Sequence, residues 1–112
     1  MSLSTHVLDT SLGRPAPGVP VIVSAQTPGG WTEIGRGATD GDGRIASLLP
    51  AGAPAAAGTT LRLRFDSAAY FSGMGVQAFY PYVDVVFTLL DTGHHHIPLL
   101  LSPFGYSTYR GS

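Results

Sequence analysis

Apolar residues recur at every second position in three stretches of this chain, the period of a half-buried β-strand. Val19, Val21 and Val23 alternate with Pro20, Ile22 and Ser24. Leu61, Leu63 and Phe65 alternate with Arg62, Arg64 and Asp66, which gives one apolar and one charged face. Val83, Val85, Phe87 and Leu89 alternate with Asp84, Val86, Thr88 and Leu90, a mixture that predicts cover on both faces. Further strands are expected over about 3–10, 31–37, 43–48, 95–102 and 104–110. Gly29-Gly30 reads as a hairpin turn, and Asp40-Gly41-Asp42-Gly43 as a turn with glycines at positive φ. Pro50-Ala51-Gly52-Ala53-Pro54, with the alanines after it, reads as a loop. The stretch from Asp66 to Phe71 fits one short helix, with Asp66 or Ser67 as N-cap and Gly73 as its stop. No repeat or linker interrupts the pattern. The expectation is an all-β sandwich of about eight strands with one short helix, a single domain over residues 1–112.

Composition sharpens this picture in two ways. A chain of 112 residues that is 44% hydrophobic can build a core, yet a domain this small gains from oligomerisation. Charged residues are only 12%, against roughly 25% for an average soluble protein, so apolar surface is left for a partner subunit to cover. All six basic residues are arginines, none is in a basic run, and the net charge is -1. Nucleic acid and anionic membrane are therefore poor partners. The absence of cysteine removes disulfides and thiol chemistry. No apolar run is long enough to span a bilayer, and Met1 to His6 has no secretory pattern. A soluble, cytoplasmic protein is expected, although a processed precursor would look the same.

The candidate chemistry begins with His94-His95-His96. On a strand, His94 and His96 share a face and His95 takes the other. Ile97, Leu99 and Leu101 continue the His95 face, which is the core side, while Pro98, Leu100 and Ser102 continue the more polar His96 face. Taken alone, the triplet reads as a solvated strand end. Zinc usually takes three or four protein ligands, and a lone His-x-His pair without cysteine argues against a metal. His6, Arg44 and the terminal Tyr109-Arg110-Gly111-Ser112 also have bland readings: a structural histidine, an exposed turn arginine and a frayed tail.

Together these segments resemble the 5-hydroxyisourate hydrolases of the transthyretin-related family. Leu3-Ser4-Thr5-His6-Val7-Leu8-Asp9-Thr10 followed by Gly13-Arg14-Pro15-Ala16 resembles their N-terminal signature. Thr39-Asp40-Gly41-Asp42-Gly43-Arg44-Ile45 resembles their arginine-bearing turn, and His94 to Pro103 their penultimate strand. Tyr106-Ser107-Thr108-Tyr109-Arg110-Gly111-Ser112 resembles their C-terminal signature, whose last four residues distinguish the enzymes from the hormone-carrying transthyretins. The resemblance spans nearly the whole chain. One departure is His95, where the family commonly has tyrosine.

The resemblance implies a transthyretin-like (prealbumin-like) sandwich in a homotetramer, a dimer of dimers with active sites in the channel between dimers. It implies hydrolysis of a C–N bond in the six-membered ring of 5-hydroxyisourate, yielding 2-oxo-4-hydroxy-4-carboxy-5-ureidoimidazoline in urate catabolism. His6, Arg44, His96 and Ser112 carry over as catalytic positions, with Tyr109, Arg110 and Gly111 shaping the substrate site. The residue types suit the chemistry. Histidine titrates near neutral pH and can activate water or protonate a leaving nitrogen. A fixed guanidinium holds an acceptor-rich heterocycle and meets the developing oxyanion. Ser112 offers a hydroxyl, with a terminal carboxylate as a further acceptor. His6 and His96 are expected to act as a pair on the water, with no metal or organic cofactor.

Two other readings compete. A carrier of small aromatic ligands would share the fold, because fold does not settle function. An adhesive or carbohydrate-binding sandwich would need an exposed aromatic stripe, and Phe79, Tyr80 and Tyr82 form the only candidate. These three are better read as core and turn packing.

Overall fold

Strand alternation decides which side chains meet in the middle of this protein. The computed structural model describes residues 1–50, 53 and 55–112. Among them the order is β1 (Ser2–Asp9), β2 (Arg14–Pro15), β3 (Pro20–Thr27), β4 (Gly30–Ala38), β5 (Arg44–Ile45) and β6 (Thr60–Phe65). Then come α1 (Ser67–Ser72), β7 (Val83–Thr88), β8 (His94–Ser102) and β9 (Gly105–Thr108). One sheet runs β2-β1-β8-β9, with β5 also pairing β1, and the other runs β4-β3-β6-β7. Leu3 and Val7 of β1 and Ile97, Leu99 and Leu101 of β8 face Val21 and Val23 of β3 and Leu61, Leu63 and Phe65 of β6 in one buried cluster. Each such buried side chain contributes about 1.5–3 kcal/mol of transfer free energy. The architecture is the expected all-β sandwich.

Most pairings are antiparallel, but β1 and β8 run parallel, with Ser2 opposite His94, Ser4 opposite His96 and His6 opposite Pro98. Residues in register in a sheet point to the same side. Ser2, Ser4 and His6 therefore stand beside His94, His96 and Pro98 on the outer face.

The helix is capped as expected. The Asp66 carboxylate accepts from Ala69 N–H at 3.2 Å, and Gly73 closes the other end. Phe71 enters the core. Tyr70 donates its hydroxyl to buried Asp9 at 2.7 Å, pinning α1 to the end of β1.

Several local expectations are corrected. The hairpin between β3 and β4 pairs Thr27 with Gly30, so Pro28-Gly29 forms the turn and Gly30 opens the strand. In the Asp40–Gly43 turn only Gly43 has positive φ, at 74°. The strand expected over about 43–48 shrinks to Arg44–Ile45, because the chain then bends inward to bond Leu48 N–H to the Leu3 carbonyl at 2.9 Å. The expected loop around residues 51, 52 and 54 lies outside the described residues. Phe79, Tyr80 and Tyr82 are not core packing: Phe79 is 69% exposed, and Tyr82 lies under the Arg64 guanidinium. The outer face of β7 is also open within one chain, where Val86 is 55% exposed. Alternation reports which residues face outward but not what covers them. No helix among the described residues is long and apolar enough to cross a membrane.

Candidate active site

Three strands and the C-terminal tail converge on the outer face of the first sheet. His6 sits on β1 and pairs in register with Arg44 of β5. Their approach depends on Gly43. Its carbonyl accepts from Val7 N–H at 2.7 Å, and a Cβ at this position would collide with the Val7 carbonyl and crowd Pro15. Positive φ and the missing side chain let the turn press flat onto β1. Asp40 braces the same turn: its carboxylate accepts from Asp42 N–H at 2.9 Å and Arg44 N–H at 3.0 Å. The bond from Arg44 N–H is the main reason the Asp40 carboxyl is held below its ordinary range, with the charges of Arg44 and His6 adding to it.

Tautomers follow from these partners. His6 Nε2 lies 3.0 Å from the Asp42 carbonyl, which can only accept, so Nε2 carries the proton and neutral His6 has its lone pair on Nδ1. His96 Nδ1 is bonded to the Ser4 hydroxyl at 2.7 Å, and its Nε2 makes no hydrogen bond to any described residue. Burial pushes the His96 pKa below its ordinary value, and the nearby charges of His94, His6 and Arg44 push it the same way. A neutral imidazole with one free ring nitrogen is thus present near neutral pH. His95, by contrast, is buried and satisfied. Its Nε2 accepts from Leu90 N–H at 3.2 Å and its Nδ1 faces the Gly93 carbonyl at 3.2 Å. The alternation of the triplet is therefore as expected.

The tail closes one side. The register of β8 and β9 pairs Leu99 with Thr108, and the same register reappears where Gly111 bridges His96. Between them Pro98 has no N–H to donate, and the Thr108 hydroxyl bonds its carbonyl at 2.7 Å. Gly111 N–H donates to the His96 carbonyl at 2.8 Å. A Cβ on Gly111 would stand 2.5 Å from His96 Cδ2, so glycine is required for the tail to lie against the ring.

Arg44, His96 and Ser112 line one open depression of about 380 Å³, together with Ser4, Asp40 and His94. That volume is adequate for a small heterocycle. His6 stands at its margin, beside Arg44. Tyr109 and Arg110 are elsewhere in the single chain: they line an apolar cleft of about 400 Å³ between β7 and the β8–β9 edge, with Val86, Phe87 and Leu90. A larger hollow of about 570 Å³ lies beside α1, lined by Arg14, Tyr70 and Met74. It offers no group that titrates near neutrality, because burial and the bond to Asp9 push Tyr70 up to about 12. Among the described residues no group of three or more His, Asp or Glu side chains is arranged to hold a metal ion.

Ser2, Ser4 and His94 belong to this face; sequence reasoning set His94 on the same side as His96 without giving it a role, and it did not single out Ser2 or Ser4. Alternation places Ser2 and Ser4 on the His6 side of β1, a usable signal. Their contact with the histidines depends on the parallel β1–β8 pairing.

The model of the HIUase/Transthyretin family matches residues 3–111 of this chain. The 5-hydroxyisourate hydrolase of Salmonella dublin is 46% identical over 111 residues, covering 98% of this chain and 80% of that protein. The solved 5-hydroxyisourate hydrolase of Klebsiella pneumoniae superposes with a TM-score of 0.86 at 34% identity, covering 100% of both chains. Sea bream transthyretin, solved with thyroxine, superposes with a TM-score of 0.90 at 35% identity, covering 99% of this chain and 95% of that one.

Proposed function

The chain belongs to the HIUase/Transthyretin family, and from that premise we propose that His6, Arg44, His96 and Ser112 together form its hydrolytic site. The chain is an enzyme that hydrolyses 5-hydroxyisourate in urate degradation. The fold alone does not separate an enzyme from a carrier, since a thyroxine-bound transthyretin superposes as well as a hydrolase does. The observation that carries the site assignment is the outward His96, with Nδ1 engaged and Nε2 free, sharing a depression with Arg44 and Ser112.

In this reading His96 Nε2 takes a proton from water as the water oxygen bonds to the acyl carbon. The carbonyl oxygen gains negative charge, which the Arg44 guanidinium stabilises. A fixed donor of this kind is worth roughly 2.7–4 kcal/mol at the transition state. The C–N bond then breaks, the leaving nitrogen takes a proton from a protonated histidine, and the opened product is 2-oxo-4-hydroxy-4-carboxy-5-ureidoimidazoline. His6, held by the Asp42 carbonyl, assists from the margin, Ser112 positions water or substrate, and Gly111 keeps the tail against His96. Tyr109 and Arg110 reach substrate only through assembly. No metal or organic cofactor takes part.

A homotetramer, a dimer of dimers, belongs to the same reading. The depression is open in one chain, and a facing subunit would enclose it. Leu90 at 67%, Tyr109 at 58% and Val86 at 55% exposure leave an apolar edge for a partner to cover. The single domain over residues 1–112 and a cytoplasmic location complete the proposal.

The test is decay of 5-hydroxyisourate generated in situ from urate, followed by ultraviolet absorbance. His6→Ala and His96→Ala are each expected to lower turnover by about 10²–10⁴-fold. Wild-type rates in either folded variant would remove that histidine from the site. Light scattering with activity at rising dilution tests assembly; a fully active monomer would exclude the inter-subunit site.

A further inference from the structure

A continuous line of hydrogen bonds runs away from the site along the outer face. Ser2 Oγ lies 2.5 Å from His94 Nδ1, His94 Nε2 lies 2.8 Å from Ser4 Oγ, and Ser4 Oγ lies 2.7 Å from His96 Nδ1. The two imidazoles are nearly parallel, with centroids 6.5 Å apart. Its outer end is exposed, at His94 and Ser2, while His96 is half-buried against the tail.

The Ser4 hydroxyl has a single proton and touches two ring nitrogens. It donates to one of them, and the other must donate to it. Only two neutral arrangements satisfy both contacts. In the first, His96 Nδ1–H donates to Ser4, Ser4 donates to His94 Nε2, and His94 Nδ1–H donates to Ser2. His96 Nε2 then holds a lone pair toward the depression, the form a base requires. In the second every bond is reversed: His94 Nε2–H donates to Ser4, Ser4 donates to His96 Nδ1, and His96 Nε2 carries a proton. That is the form a donor requires.

We propose that Ser4 and His94 are positioning residues that form a proton relay with His96, switching it between base and donor during one turnover. The inference rests on the reading of His96 as the base. When His96 Nε2 takes the proton from water, its Nδ1 proton passes to the Ser4 oxygen and the Ser4 proton passes to His94 Nε2. The charge arrives on exposed His94, where water solvates it, and His96 is left neutral with Nε2–H. Return of the proton along the same path restores the base as His96 gives its Nε2 proton to the leaving nitrogen. No proton is gained or lost. The titratable and charged groups facing His96 are His94 on its own strand, His6 on β1, Arg44 on β5, Asp40 in the turn before β5 and the terminal carboxylate of Ser112 on the tail side, opposite Ser4. Three of these five are cationic when charged, and water solvates a positive charge better at the exposed end of the line than on half-buried His96.

The test combines kinetics with ¹⁵N NMR of the histidine rings in the intact protein. Ser4→Ala and His94→Gln are expected to lower kcat by roughly 10–10²-fold, the scale seen when a partner that orients a histidine is lost. KM should stay within about twofold, since neither residue is asked to bind substrate. Ser4→Thr keeps the hydroxyl and should restore kcat. Above its pKa, wild-type His96 should be protonated at Nδ1, and Ser4→Ala should move that proton to Nε2. A purely structural Ser4 would not produce this tautomer change. Wild-type kcat in both Ser4→Ala and His94→Gln would overturn the relay, as would a wild-type His96 found with Nε2–H above its pKa. If Ser4→Ala does not fold, exposed His94→Gln and the wild-type tautomer decide the matter. A dead His96→Ala beside fully active Ser4→Ala and His94→Gln refutes the relay alone. An active His96→Ala refutes the base assignment and the relay with it.

Discussion

Replacing Gly111 by Ala adds one methyl group at the point where the tail meets His96. That methyl would stand 2.5 Å from His96 Cδ2, 3.2 Å from its Cγ and 3.2 Å from Pro98 Cγ. Carbon atoms prefer about 3.5–4.0 Å, so something must move by roughly 1 Å. If the tail lifts, the bond from Gly111 N–H to the His96 carbonyl is lost, at a cost of about 0.5–1.5 kcal/mol. If instead the ring turns away by about 30°, the rotamer cost is again roughly 0.5–1.5 kcal/mol, and the bond to Ser4 is broken. Either route leaves the core untouched. The melting temperature should therefore fall by only about 4–8 °C per kcal/mol lost. Activity should suffer far more, because a displacement of about 1 Å in a catalytic group can cost roughly 10²-fold. Thermal unfolding and initial rates on one preparation separate the two effects. Deleting Gly111 and Ser112 should reproduce the kinetic loss with little change in stability. Turnover within twofold of wild type for Gly111→Ala would show that the tail does not set the position of His96, and Ser112 would leave the proposed site with it.

His95→Ala should act in the opposite sense, lowering stability by about 1–3 kcal/mol through the unpaired Leu90 N–H while leaving kcat within a few-fold; a dead but stable variant would mean that the faces of β8 are misassigned. Arg44→Lys keeps the charge and loses the planar fork, so activity should not return; near-wild-type kinetics would show that charge alone suffices. Burial and the neighbouring charges hold the His96 pKa below the ordinary histidine value, and only its neutral form serves as base, so the acid limb of kcat/KM should lie at lower pH than an ordinary histidine would give; a limb at or above the ordinary value would count against His96 as the base. Removing the His94 charge in His94→Gln takes away one cause of that depression, so the acid limb should move to higher pH; an unmoved limb would mean His94 does not act on His96 electrostatically.

Local pattern was enough for the outline of the sandwich and for the facing of the key side chains. Period-two alternation placed His94 and His96 on one side of β8 and His95 on the other, because successive side chains on any strand must alternate. Asp66 as N-cap and Gly73 as helix stop were legible for the same kind of local reason. The motif segments brought His6, Arg44, His96 and Ser112 together as candidates before any geometry was known. What lies beside what was decided only by the tertiary structure. Ser4 meets His96 because β1 and β8 pair in parallel with that register, although about ninety residues separate them in sequence. No local propensity encodes a contact at such separation; the shared burial of Leu3, Val7, Ile97 and Leu99 sets it. Gly43 reads in sequence as a turn glycine at positive φ and Gly111 as part of the C-terminal motif, but only the fold shows that each one leaves out a methyl group that would separate two parts of the site. The tail was legible as a motif, while the division of its side chains was not. Gly111 falls against His96 because the β8–β9 register reappears there beyond Pro98, whereas Tyr109 and Arg110, past the end of β9, both border the apolar cleft.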